Sequence, residues 1–131
     1  MSVKQNKAVM RSYIDEHNTT DLPSLIERID EFFTSDYVLH HPGSPDLKRG
    51  TASFEQYVQN NLKEISELHM KIDDMLGEGD ELAVRLTYEY RQASTGKLMS
   101  FSSISIINFS NGKMAEEWEV IMPDQEPDKK T

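Results

Sequence analysis

The chain has 131 residues, 14 Lys and Arg against 23 Asp and Glu, a formal net charge of −9, and 37% hydrophobic residues. That length suits one domain whose core is large enough to enclose a pocket, and the acidic balance argues against nucleic acid as a partner, because phosphate backbones demand clustered cations. Zero cysteines exclude disulfides and thiolate chemistry, and no run approaches the roughly 18 apolar residues of a membrane span.

The opening segment MSVKQNKAVM has no apolar signal region, which sets the expectation of a cytoplasmic protein without a membrane partner. Val9, Met10, Tyr13, Ile14 and His17 fall on one stripe of a helix, and Ser2 with Gln5 has capping-box spacing. Asn18-Thr19-Thr20 breaks that pattern. Asp21 can cap a second helix with Pro23 in its first turn and Leu22, Leu25, Ile26, Ile29 and Phe33 on its buried face. Asp36 to His41 is short and β-prone, and Pro42-Gly43-Ser44-Pro45 ends it as a loop. Ser53 and Gln56 repeat the capping-box spacing before a third helix, whose Tyr57, Val58, Leu62, Ile65 and Leu68 keep helical period.

Beyond Leu68 the period changes to two. Strands are predicted at Met70 to Leu76, from Leu82 to Tyr90 with strict alternation, at Leu98 to Phe109 and at Met114 to Met122. Tight turns join them, Asn111-Gly112 being the strongest hairpin signal, so the sheet is largely antiparallel. Helices first and a meander afterwards predict an α+β fold in one domain over residues 1–122, with 123–131 a frayed polar tail.

On the last strand Met114, Trp118, Val120 and Met122 share a face with Glu116, and Ala115, Glu117, Glu119 and Ile121 share the other. If the Trp118 face lies against the helices, Glu116 is desolvated and its carboxyl is tuned toward the neutrality that a general acid or base needs. The alternative is that Glu116 sits at the strand end or pairs with Arg85 or Arg91, and Glu117 and Glu119 are expected to face water or a partner subunit. His40 shares a face with Val38, and His41 shares the opposite one with Tyr37, so the two cannot chelate one ion. His17 and His69 lack ligand spacing as well, and no metal is expected. His40 is a candidate acid/base because imidazole titrates near neutrality, or else a satisfied structural residue. The Tyr13 hydroxyl reads either as core packing or as a donor to a ligand oxygen.

Asp36-Tyr37-Val38-Leu39-His40-His41-Pro42-Gly43-Ser44-Pro45, Glu78-Gly79-Asp80-Glu81-Leu82-Ala83-Val84-Arg85 and Asn111-Gly112-Lys113-Met114-Ala115-Glu116-Glu117-Trp118 together resemble the SnoaL-like polyketide cyclase family of the nuclear transport factor 2-like superfamily. The resemblance runs from about Asn6 to Met122. It implies a curved sheet wrapped around the helices as a cone with an apolar cavity, a homodimer formed through the convex sheet face, and acid/base chemistry that uses neither metal nor cofactor. Carried over by position, it implies His40 and Glu116 as catalytic residues. Tyr13, His17, Asn18, Trp118 and Met122 are then the residues that line or bind substrate, a small apolar oxygenated molecule. Many relatives carry an Asp four residues beyond the Trp, where this chain has Met122. The reading is therefore a cyclase, isomerase or hydrolase, with a non-catalytic binding or dimerisation domain of the same fold as the alternative.

Overall fold

Local sequence explains most of the element boundaries in the computed structural model, which describes residues 1–123. Helix α1 runs Val3–Thr19 behind the expected reciprocal cap: Ser2 accepts from the Gln5 backbone, and the Gln5 side chain accepts from the Ser2 N–H at 2.8 Å. Helix α2, Leu22–Glu27, is capped by Asp21 with Pro23 in its first turn. It is shorter than its apolar pattern suggests. Ile29–Glu31 forms a separate 3-10 turn, and Phe33 already begins strand β1, Phe33–His40. After a two-residue strand β2, Leu47–Lys48, helix α3 spans Ala52–Glu64 with Thr51, not Ser53, as its N-cap.

The helical period carried through Ile65 and Leu68 is misleading. Strand β3, Ile65–Glu78, starts where that helix was expected to continue, and a register shift between Ser66 and His69 accompanies Glu67 at φ 51°. Strands β4, Glu81–Gln92, β5, Leu98–Ser110, and β6, Lys113–Ile121, complete the meander. Positive φ at both Asn111 and Gly112 gives the tight turn the dipeptide predicts.

The six strands form one open curved sheet in the order β2-β1-β6-β5-β4-β3. Every neighbouring pair is antiparallel except β1 with β6, which run parallel. The helices lie inside the curve, and Leu25, Leu82, Val84, Ile107 and Met114 are almost wholly enclosed between the layers. This is the α+β cone expected from the sequence. Of the tail 123–131, all but Pro123 lies outside the described residues. Among the described residues no helix is long and apolar enough to cross a membrane.

One irregularity decides which side chains enter the cone. A two-residue turn at Asn111-Gly112 pairs Ser110 with Lys113 and Phe109 with Met114, and continued without change it would set Ile107 opposite Glu116. Instead β6 accommodates one extra residue, Ala115, and Ile107 pairs with Glu117. A bulge of one residue exchanges the two faces of a strand for everything beyond it. Met114 therefore points into the core, and so do Glu117 and Glu119, while Glu116, Trp118 and Val120 turn outward.

Candidate active site

Between the helices and the concave face of the sheet lies a cavity of about 460 Å³. Its walls are mainly apolar, supplied by residues such as Met10, Leu25, Phe33, Leu62, Leu86 and Phe101. Its polar groups are few: four phenols (Tyr13, Tyr37, Tyr57 and Tyr88), two carboxylates (Glu117 and Glu119), Arg49, His17, Asn61 and, at the solvent edge on α3, Glu55.

Glu117 is the unusual member. The Tyr37 hydroxyl donates to its Oε1 at 2.6 Å. Burial pushes its carboxyl up to about 7, the neighbouring Glu119 pushes in the same direction, and the Tyr37 and Ser105 hydroxyls and the nearby His41 pull it down. Loss of a carboxylate's hydration in an apolar cavity thus outweighs the Tyr37 hydrogen bond that supports it. Glu119 is buried and lies 2.8 Å from His41 Nε2, and the hydrogen bond to Glu119 raises the His41 imidazole against the opposing effect of burial. All four phenols are held above the ordinary tyrosine range, Tyr13, Tyr37 and Tyr88 well above it, mainly by burial and further by the carboxylates. They stay neutral and keep their protons. Replacing Tyr37 with Phe removes a donor to the Glu117 carboxylate, so the Glu117 midpoint is expected to move higher still. A carboxyl-carbon NMR titration reads this, and an unchanged or lowered midpoint would contradict the bond.

The residues singled out in the sequence divide between two places. Tyr13 and His17 line the cavity, and burial lowers the His17 imidazole so that it stays neutral. The inward placement expected for Glu116 and Trp118 is corrected: the Ala115 bulge carries both to the outer face, where Trp118 is 44% exposed. His40 goes with them, since it pairs in register with Trp118 across the parallel β1–β6 ladder. Its ring stacks on the indole at 5.1 Å, with Nε2 2.6 Å from Glu116 and Nδ1 2.7 Å from Asp46, and these two hydrogen bonds raise its pKa. Asn18 does not line the cavity. Its amide Nδ2 donates to the Met70 carbonyl at 2.7 Å, and its Oδ1 accepts from the Met70 N–H at 2.8 Å, which ties α1 to β3. Met122 lies just past β6, exposed, with its N–H donating to the Ser102 carbonyl.

Glu117, Glu119, Tyr37 and His41 are what the sequence reading passed over, the first two being expected to face water or a partner subunit. One signal was available: Tyr37 and Leu39 carry more apolar bulk than Val38 and His40 and so mark the inner face of β1, which His41 continues.

The sequence profile of the SnoaL-like polyketide cyclases matches residues 7–122. No curated protein matches the chain significantly. Among solved structures, AclR, a candidate hydroxylase from Streptomyces galilaeus, is similar at 22% identity over 92% of this chain and 77% of its own, with a TM-score of 0.74. A candidate polyketide cyclase from Acidithiobacillus ferrooxidans is similar at 20% identity over 92% and 91%, with a TM-score of 0.72. A candidate SnoaL-like polyketide cyclase from a Jannaschia species reaches 0.72 at 15% identity over 92% and 89%. At such identities the likeness speaks for the fold, the nuclear transport factor 2-like cone. The profile match spans nearly all of the described structure, and the chain belongs to the SnoaL-like polyketide cyclase family.

Proposed function

We propose that the cavity performs proton-transfer chemistry of the cyclase type on a small, largely apolar, oxygen-bearing molecule, with Glu117 as the acid/base. The observation that carries this reading is a carboxyl inside the cone held near pH 7 beside a phenol donor. An acid/base works best when its pKa lies close to the working pH. Ionised Glu117 takes a proton from a carbon next to a carbonyl. The enolate oxygen that results is stabilised by a neutral phenol, with Tyr13, Tyr57 and Tyr88 in position to donate. After the carbon–carbon bond closes, the proton on Glu117 returns to the new alkoxide. The Glu119–His41 pair holds the second carboxylate next to this group and helps set its pKa. In this reading His40 and Glu116, marked by the sequence for the chemistry, belong to the outer face. The cytoplasmic setting expected from the sequence is part of the same proposal.

The test is the pH dependence of turnover on small ring-forming polyketones. Activity is expected to rise as pH passes about 7, where Glu117 loses its proton. A rate that does not change across that range contradicts the assignment.

The homodimer is likewise proposed, and the outer face supports it. Ile104 pairs with Val120 and Ile106 with Trp118, so four apolar side chains, each 44–54% exposed, form one block. The same stretch of β5 turns Ser103 and Ser105 inward, an inversion of the usual pattern that suits a partner outside. Ile106→Lys places a charge in the centre of the block. Sedimentation is expected to report a dimer for the parent and a monomer for the variant, and a monomeric parent would overturn this part of the reading.

A further inference from the structure

The charges around the cavity do not balance at Glu117. Glu119 has its own cation in His41. Arg49, the other cation on the lining, is committed elsewhere: Nη2 bonds Asp30 at 2.5 Å, and Nη1 donates to the carbonyl of Thr34 at 3.0 Å. His17, on α1, is kept neutral by burial. The group that hydrogen-bonds Glu117 is the uncharged Tyr37 hydroxyl, His41 acts on it only from its place beside Glu119, and the phenols of α1, α3 and β4 lie beyond. Glu55 adds a further carboxylate on the lining from α3. Among the described residues no cation is paired to Glu117.

The walls suit a cation as well. Tyr13, Phe33, Tyr37 and Phe54 pack edge to face in sequence, with ring centroids 5.2, 4.7 and 6.2 Å apart. Tyr57, Tyr88 and Phe101 extend this aromatic lining across the cavity. Aromatic faces together with a carboxylate in a dry site are the elements that recognise ammonium groups. An anionic guest would meet the carboxylates of Glu55, Glu117 and Glu119 with no free counter-charge, a neutral one would leave Glu117 to keep its proton or ionise alone, and only a cationic one stabilises its ionised form.

We propose that the molecule the cavity accepts carries a protonated amine on its apolar body, and that the ammonium pairs with Glu117 against the aromatic wall. This rests on the cavity being the ligand site, as in the function proposed above, and not on which reaction follows. It narrows the substrate from any apolar oxygenated compound to a basic one. The net charge of −9 works in the same direction by drawing cations toward the protein.

Three probes of one shape separate the possibilities: adamantan-1-amine, adamantan-1-ol and adamantane-1-carboxylate, titrated calorimetrically into the full chain. The amine is expected to bind about tenfold or more tightly than the alcohol, with the carboxylate weakest. Pairing requires ionised Glu117, and the amine keeps its proton throughout. Amine affinity is therefore expected to rise, with proton release, as pH passes about 7, while alcohol affinity stays level. Glu117→Gln is expected to abolish both the preference and its pH dependence while leaving alcohol binding in place. Equal binding of amine and alcohol, a preference for the carboxylate, or no binding of any probe would overturn the inference. If the alcohol binds without amine preference while turnover still depends on Glu117, the amine inference fails and the acid/base reading survives. If amine preference is found but turnover is indifferent to Glu117, the reverse holds.

Discussion

Glu117→Gln is expected to lower turnover by about 10²–10⁴-fold, the usual contribution of a positioned acid/base, while affinity for a neutral ligand changes little. Glutamine keeps the size of the side chain and an acceptor for the Tyr37 hydroxyl, but it cannot exchange a proton. A loss confined to kcat marks a group acting on the reacting atoms, whereas a loss confined to KM marks one that only holds the substrate. The same variant is expected to be more stable than the parent at alkaline pH. Glu117 binds its proton more tightly in the folded chain, near 7, than in the unfolded one, near 4.5, so its protonated form favours folding. That stability is present at acid pH and is lost as pH rises from about 4.5 to about 7. Glutamine has no such loss. Chemical unfolding at pH 8 checks it, and a destabilised variant would place Glu117 somewhere other than an apolar cavity.

His41→Ala is expected to be the most damaging single change at the site. Glu119 is 8% exposed, and without the imidazole it becomes a buried charge with no cation beside it. Breaking a buried pair from one side costs about 3–5 kcal/mol, and His41 lies near enough to the surface to place this case at the lower end. Adding Glu119→Gln removes the stranded charge and is expected to recover part of the loss. The pH dependence has a definite sign. His41 is raised above its ordinary 6.5 in the folded chain, so the pair stabilises fully below that value and fades as pH rises through the raised one. The gap between parent and His41→Ala is therefore wider at pH 6 than at pH 9. Denaturation curves at the two pH values measure it, and a gap of equal size would contradict the charged pair.

Much of the scaffold was legible because short-range rules governed it. The Ser2–Gln5 box, Asp21 with Pro23 behind it, and the Asn111-Gly112 turn are each decided within a few residues, and β4 announces its buried face by plain alternation. The failures arose where local pattern and tertiary pairing disagreed. Ile65 and Leu68 continue the period of α3, yet pairing with β4 claims Ile65 for β3. On β6 Met114, Trp118, Val120 and Met122 alternate in step with Glu116, so hydrophobicity marked that face as the inner one and pointed to Glu116. A single extra residue, Ala115, reversed that outcome, and nothing in its own sequence announces a bulge. The apolar outer face added to the difficulty, because Ile104, Ile106, Trp118 and Val120 look like core when the surface they cover is unknown.

The site was legible in kind and not in position. A desolvated carboxyl beside an aromatic donor was expected on β6, and the structure has one, displaced by one residue and turned to the opposite face, with Tyr37 in place of the indole as its neighbour. The strand geometry that moved Glu116 out also moved His40 out, because the parallel ladder ties His40 to Trp118. The outward pair is bound to itself and to Asp46, and the inward pair faces the cavity.

Direct titration of the Glu117 carboxyl carbon by NMR, assigned by its disappearance in Glu117→Gln, reads the enclosed acid without any substrate. A midpoint near 7 is the expected result. A midpoint in the ordinary carboxylate range near 4.5 would mean that water reaches this group freely, and the proton-transfer role built on it would fall.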